Sequence, residues 1–214
     1  MLYYRRRLPH WIPDTTVMFV TWRLAGSAPP VEPEVLTAKN TGRILFRLRD
    51  QQLDRSRTGP FWLRYTLVAT MIENTLHYGE TTRQFYHLYA WAIMPNHVHV
   101  VFERQVTLPA IMHWLKGRTG RVANRLLGRT GLPFWQDESY DHWIRSTKEL
   151  EQVIAYVENN PVNAGLAEAP EQWPWSSARF RADDTKRSSA PRSRQDRACA
   201  PPIPQPRRPS DYAA

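Results

Sequence analysis

His97 and His99 stand on either side of one valine in Trp91-Ala92-Ile93-Met94-Pro95-Asn96-His97-Val98-His99-Val100-Val101-Phe102. The run reads as a β-strand. Side chains alternate along a strand, so the two imidazoles share one face while Val98, Val100 and Phe102 share the other and point into a core. Two imidazoles side by side on a rigid strand are half of a divalent-metal site. Pro95-Asn96 reads as a tight turn, which starts the strand at the candidate ligands. The unit expected is a hairpin, Phe85 to Ile93, the turn, then His97 to Arg104. Taken alone, a His-x-His strand is also compatible with ordinary core or surface histidines, and the motif leaves both readings open.

A second group of chemically capable residues lies downstream, in Ser146 to Pro161. Ser146 followed by Glu149 is a capping box. Leu150, Val153, Ile154 and Val157 recur at the spacing of one helical face, which predicts an amphipathic helix. Pro161 is expected to stop it. Tyr156 and Asn160 are four residues apart, so the helix stacks a phenol and an amide on the flank of its apolar stripe. Both also have a plain structural explanation: a tyrosine at a stripe edge packs, and an asparagine before proline caps a helix end.

Other elements must position these two. Thr15 to Leu24 is a strand rich in Val, Phe, Thr and Trp. A Pro-rich loop from Ala25 to Pro33 leads to a helix from Glu34 to about Asp54. A second helix is expected over Pro60 to His77, with proline near its first turn. The histidine hairpin follows, then a third helix from Leu108 to Leu127, weakened by Gly117 and Gly120. Phe134 to Gln136 and Tyr140 to Arg145 are short extended pieces before the tyrosine helix, and an irregular Trp-rich segment ends near Phe180. Residues 1–180 form one domain. Residues 181–214 hold many prolines and basic residues with little to bury, and are expected to be a disordered basic tail.

Together these motifs resemble a family. Pro95-Asn96-His97-Val98-His99-Val100-Val101 looks like the His-hydrophobic-His motif of the HUH single-strand transposases. The run Tyr156-Val157-Glu158-Asn159-Asn160-Pro161-Val162-Asn163-Ala164-Gly165-Leu166 looks like their tyrosine helix. With Phe134-Trp135-Gln136, Tyr140-Asp141-His142, Trp173-Pro174-Trp175-Ser176-Ser177-Ala178 and the N-terminal Arg5-Arg6-Arg7-Leu8-Pro9-His10-Trp11, they are similar to the REP-associated tyrosine transposases, a bacterial branch of that superfamily. The resemblance implies an α+β fold with a ferredoxin-like antiparallel sheet and helices mainly on one face. It implies metal-dependent cutting and rejoining of single-stranded DNA at hairpin-forming repeats. Tyr156 would be the nucleophile, leaving a 5′-phosphotyrosine and a free 3′-hydroxyl. His97, His99 and Asn160 would hold Mg²⁺ or Mn²⁺. In insertion-sequence relatives the third ligand is usually Gln; here that place holds Asn160, one methylene shorter, as the REP-associated branch commonly has. Two alternatives remain: a DNA-binding regulator of the same fold without catalysis, and a metal-dependent phosphodiesterase that uses water.

Composition agrees with a nucleic-acid partner. The chain of 214 residues carries a formal net charge of +9 and a pI near 10.0, which points to an acidic polymer before a membrane surface. Its size and nine tryptophans argue against a ribosomal protein. Cys199 is the single cysteine, so a disulfide framework is excluded and a reducing cytoplasm, associated with the nucleoid, is expected. No apolar run has the length of a membrane span and no signal-peptide core opens the chain. Arg118, Arg121, Arg125 and Arg129 recur on one helical face, able either to track phosphates or to be a solvated surface. Arg5, Arg6 and Arg7 are candidates to clamp a DNA flank. Tyr140 is a rival nucleophile, His142 a candidate DNA contact or support, and His87 a neighbour that could approach the metal. A homodimer is compatible with the sequence.

Overall fold

A computed structural model describes residues 2–5, 9–12, 16–27, 53 and 59–181, the first two segments as backbone alone. The helix expected over Glu34 to Asp54 thus lies outside the described residues except at Leu53, as does the tail beyond Arg181. Among the described residues the strands are β1 (Leu2–Arg5), β2 (Pro9–Ile12), β3 (Val17–Arg23), β4 (Tyr86–Ile93), β5 (His97–Arg104) and β6 (Tyr140–Trp143). The helices are α1 (Thr66–Thr81), α2 (Leu108–Leu126) and α3 (Thr147–Asn163).

β1 and β2 pair as an antiparallel ribbon. The other four strands form one antiparallel sheet in the order β4-β5-β3-β6. Counted from β3, the sheet holds the second, third, first and fourth strands in that order, with α1 and α2 as the crossovers. That is the ferredoxin-like arrangement, and it puts the histidine strand β5 in the interior of the sheet.

The two faces of the sheet have different tasks. On one, Trp22 of β3, Ile93 of β4 and Val98, Val100 and Phe102 of β5 pack against Ile72 and Leu76 of α1 and Ile111 and Leu115 of α2. Truncating a fully buried aliphatic in such a core costs about 2–5 kcal/mol. On the other, Phe19, Ala90, Ala92 and Val101 receive Val157 of α3, flanked by the half-buried Leu150, Val153, Ile154 and Tyr156. Of the helices α1 to α3, two thus share one face, and the tyrosine helix lies on the face that carries the histidines. Ala90 and Ala92 are the smallest side chains of β4 and let α3 approach the sheet.

Strict alternation would send Tyr86 and Leu88 to the face opposite Trp91 and Ile93. The structure resolves this with a β-bulge: the register with β5 shifts between Leu88, opposite Phe102, and Ala90, opposite Val101. The extra residue returns all four apolar side chains to one core. Tyr86 is buried there and donates its hydroxyl to the carbonyl of Leu76. Burial, with Glu80 as a lesser cause, pushes its phenol far above the usual tyrosine range.

Three boundaries differ from expectation. The helix foreseen from Pro60 begins only at Thr66, after a single 3-10 turn over Trp62–Arg64. Leu63 is buried and its N–H bonds to the carbonyl of Pro95, so this stretch docks on the hairpin turn instead of opening the helix. Pro161 does not stop α3, which runs to Asn163. A proline near a helix end forfeits one N–H bond, and here Pro161 is itself buried together with Val157. The stop comes at Gly165, whose φ is +70°. Leu166 N–H bonds to the Pro161 carbonyl and Gly165 N–H to that of Val162, a Schellman pair. Asn160 is therefore an interior helical residue and not the cap.

Candidate active site

β5 begins at His97, as the turn predicts. Both histidines are fully buried, and their Nε2 atoms face each other at 2.9 Å. The opposite ring nitrogens are held by oxygen. His97 Nδ1 lies 2.7 Å from Asn96 Oδ1, and His99 Nδ1 lies 2.7 Å from Thr21 Oγ1. Thr21 stands directly opposite His99 across the β3–β5 ladder, and Arg23 directly opposite His97, so both belong to the histidine face. Asn96 is buried and oriented by donating its amide to the carbonyl of Leu53 at 3.0 Å.

The helix that faces this pair starts as the capping box requires: Ser146 Oγ accepts from Glu149 N–H. Glu149 also accepts from the backbone N–H of Arg145 and meets His142 Nε2 at 2.9 Å. The end of β6 is thereby tied to the first turn of α3. Tyr156 lies on the sheet side of the helix, its ring centroid 6.0 Å from that of His99 and 6.0 Å edge-on to that of Phe19. Phe19 in turn stacks on His99 at 5.8 Å. One turn further along, Asn160 is buried. A phenol and two imidazoles are thus drawn from two elements onto one face, with a buried amide one helical turn beyond the phenol.

The donor set suits a divalent cation. Imidazole nitrogens turned toward one another, each braced from behind by an oxygen partner, are what metal-ligating histidines need. Among the described residues no three His, Cys, Asp or Glu side chains cluster so as to hold a metal ion. A third protein ligand from the described residues would therefore be a neutral group, and Asn160 is buried one helical turn beyond Tyr156.

The other candidates are distributed as follows. Tyr140 is opposite Thr21 and so on the same face, its ring 6.1 Å from that of Phe19. His142 is engaged with Glu149. His87 is opposite Glu103, four residues along β5 from His99, a separation of about 13 Å at the rise of a strand, and it pairs with Glu80 at 2.9 Å; it does not join the histidine pair. Arg118, Arg121 and Arg125 are exposed on α2, across the sheet from the histidines. Arg118 lies over the ring of Tyr78, and Arg129 over that of Trp62. Arg5 ends β1, while Arg6 and Arg7 lie outside the described residues. Sequence reasoning passed over Thr21, Arg23 and the bracing role of Asn96. Asn96 carried a turn signal that hid its second role, and the other two announce themselves only through a register formed across 78 residues of chain.

A ferredoxin-like sheet with paired histidines on an inner strand, crossed by a helix that carries a tyrosine, is the class of site that the geometry defines. Residues 63–160 match the family model of IS200-like transposases. A curated relative, the REP-associated tyrosine transposase of Escherichia coli (strain K12), is 29% identical over 89 residues, which are 41% of this chain and 52% of that protein. The chain thus spans about half the length of that relative. In fold it is similar to the structure of a REP-associated tyrosine transposase bound to a REP hairpin, with a TM-score of 0.53 and 18% identity over 89% of each chain. The resemblance carried by the motifs thus agrees with the IS200-like family model, with the name of the curated relative and with the fold. No helix among the described residues is long and apolar enough to cross a membrane.

Proposed function

We propose that this protein cuts and rejoins single-stranded DNA at hairpin-forming, REP-like repeats, as in DNA transposition, through a covalent 5′-phosphotyrosine on Tyr156. The observation that carries the reading is the Tyr156 ring 6.0 Å from that of His99, whose Nε2 faces that of His97 at 2.9 Å. The relative's name and the hairpin in the similar structure support the substrate class.

His97, His99 and Asn160 would hold the divalent cation, Mg²⁺ or Mn²⁺, which when bound polarises the scissile phosphate and offsets charge on its oxygens. The chain's own residues do the rest. Tyr156 supplies the attacking oxygen: its hydroxyl gives up a proton, the Oη–P bond forms as the P–O3′ bond breaks, and the leaving 3′-oxygen takes up a proton to become the free 3′-hydroxyl. Attack of that hydroxyl on the phosphotyrosine reverses the step, so the phosphodiester energy is conserved. Phe19 and His99 fix the plane of the Tyr156 ring by edge contacts. Arg23, opposite His97, puts a cation on the same face for the phosphate backbone. The exposed Arg118, Arg121 and Arg125, with Arg5, Arg6 and Arg7, would contact DNA flanks outside the site. The test is a labelled hairpin oligonucleotide with a single-stranded flank, incubated with Mn²⁺ and run on a denaturing protein gel. A labelled band at the mass of the protein is expected; cleavage with no such band at any time would replace the tyrosine mechanism by hydrolysis.

A further inference from the structure

The two imidazoles are not braced alike. Asn96 has its amide nitrogen committed to the Leu53 carbonyl, which turns its oxygen to His97. An amide oxygen only accepts, so His97 Nδ1 carries the hydrogen, and in the neutral ring His97 Nε2 is then a lone pair. If the 2.9 Å contact between the Nε2 atoms is a hydrogen bond between neutral rings, its hydrogen is on His99 Nε2. His99 Nδ1 is in that state an acceptor, and the Thr21 hydroxyl, 2.7 Å away, is its donor.

A cation between the rings needs lone pairs on both Nε2 atoms. His97 already presents one. His99 must give up its Nε2 hydrogen and take one on Nδ1, which leaves the ring neutral before and after. Thr21 can follow this change in place, since a hydroxyl both donates and accepts.

We propose that Asn96 and Thr21 are positioning residues for the metal ligands: Asn96, anchored by the Leu53 carbonyl, locks His97 in the ligating tautomer, and Thr21 lets His99 switch into it. The inference rests on the metal site proposed above. Partners of this kind hold a ligating imidazole in orientation and tautomer, and their loss weakens binding by roughly 10- to 100-fold. Valine in place of Thr21 keeps the branched shape and removes the hydroxyl that faces His99 Nδ1 at 2.7 Å.

Two readouts test this on the full-length protein without DNA. In a long-range proton–nitrogen spectrum of the metal-free, histidine-labelled protein, His97 is expected to be protonated at Nδ1 and His99 at Nε2. Addition of a diamagnetic ion, Mg²⁺, is expected to move the His99 hydrogen to Nδ1. Hydrogen on His97 Nε2 in the metal-free protein would overturn the proposal. In parallel, binding of Mn²⁺ alone is followed by the paramagnetic signal of the free ion. Thr21→Val and Asn96→Ala should each weaken binding roughly 10- to 100-fold, and Thr21→Ser should restore it, with thermal unfolding of Thr21→Val and Thr21→Ser alike. Wild-type affinity in Thr21→Val, while His99→Ala has lost binding, overturns the positioning roles and spares the metal site. Equal Mn²⁺ binding by wild type, His97→Ala and His99→Ala instead overturns the site itself.

Discussion

At the scale of single residues, Tyr156 and Tyr140 share the histidine face, and they differ in what surrounds them. Tyr156 holds its ring 6.0 Å from that of His99 and sits one helical turn before a buried amide, whereas Tyr140 stands on β6 with its ring 6.1 Å from that of Phe19. Tyr156→Phe should therefore abolish the covalent adduct while leaving hairpin affinity within about twofold, because it keeps the ring packing and removes only the nucleophile. Tyr140→Phe should retain the adduct. The same gel decides both, and an adduct that survives in Tyr156→Phe but disappears in Tyr140→Phe would reverse the assignment. The histidines give the second prediction: His97→Ala or His99→Ala should each remove cleavage, and EDTA should do the same to the wild type. Full cleavage in EDTA would remove the cation from the mechanism. Both substitutions also empty space in a fully buried site, so their thermal midpoints need to be read beside their activity.

Among the elements, the junction of β6 and α3 sets where Tyr156 lies, because Glu149 joins His142, the Arg145 backbone and the Ser146 cap. Ser146→Ala should lower stability by about 1 kcal/mol, the worth of an N-cap, in chemical denaturation. If cleavage falls by far more than the folded fraction accounts for, the cap also sets the tyrosine. A second stability prediction concerns the α1–β4 contact. The Tyr86 hydroxyl occupies the place where a Cβ on residue 79 would project, so Gly79→Ala should cost roughly 1–3 kcal/mol as overpacking. Combining it with Tyr86→Phe should cost less than the two changes added. Strict additivity in the double-mutant cycle would deny the contact. How much of this was legible in sequence follows from the range of each cause. The β4–β5 hairpin, the shared face of His97 and His99, and the Ser146–Glu149 cap depend on residues within a few positions of one another, and a strand or helix period reveals them. The bulge after Leu88 answers a packing conflict that appears only once α1 and α2 cover the sheet. The expectation that Pro161 stops the helix follows from a local rule, while the burial of Pro161 depends on the rest of the fold. Thr21 and Arg23 became part of the site by register alone.

For the whole molecule, charge and site are separated by the sheet. The α2 arginines face solvent on one side, and the histidines and Tyr156 lie on the other. A bound hairpin with a flank would have to pass around the domain to touch both. Binding should fall steeply with salt, and Arg121→Ala combined with Arg125→Ala should flatten the log–log slope by up to about 1.4, near 0.7 for each lost contact with a single strand. Affinity for the flanked hairpin across a salt series measures this, and an unchanged slope would return the stripe to a solvated face. Cleavage by the double variant should persist at low salt, since neither residue lies at the site.

The segment Trp173 to Arg181 has a further consequence. Ile93 N–H bonds to the carbonyl of Trp175, Ser177 N–H to that of Trp91, and Ser176 bridges Ala92. Arg179 and Arg181 fasten the segment to Glu73 of α1 and Glu158 of α3. It lies along the outer side of β4, where a sheet otherwise offers open donors and acceptors to any passing strand. A chain ending before Trp173 would bare that border, with apolar β4 behind it, and would be prone to strand-to-strand aggregation even with Tyr156, His97 and His99 intact. The last residues of the fold thus act as a selvedge: they close the woven border against unravelling into neighbours.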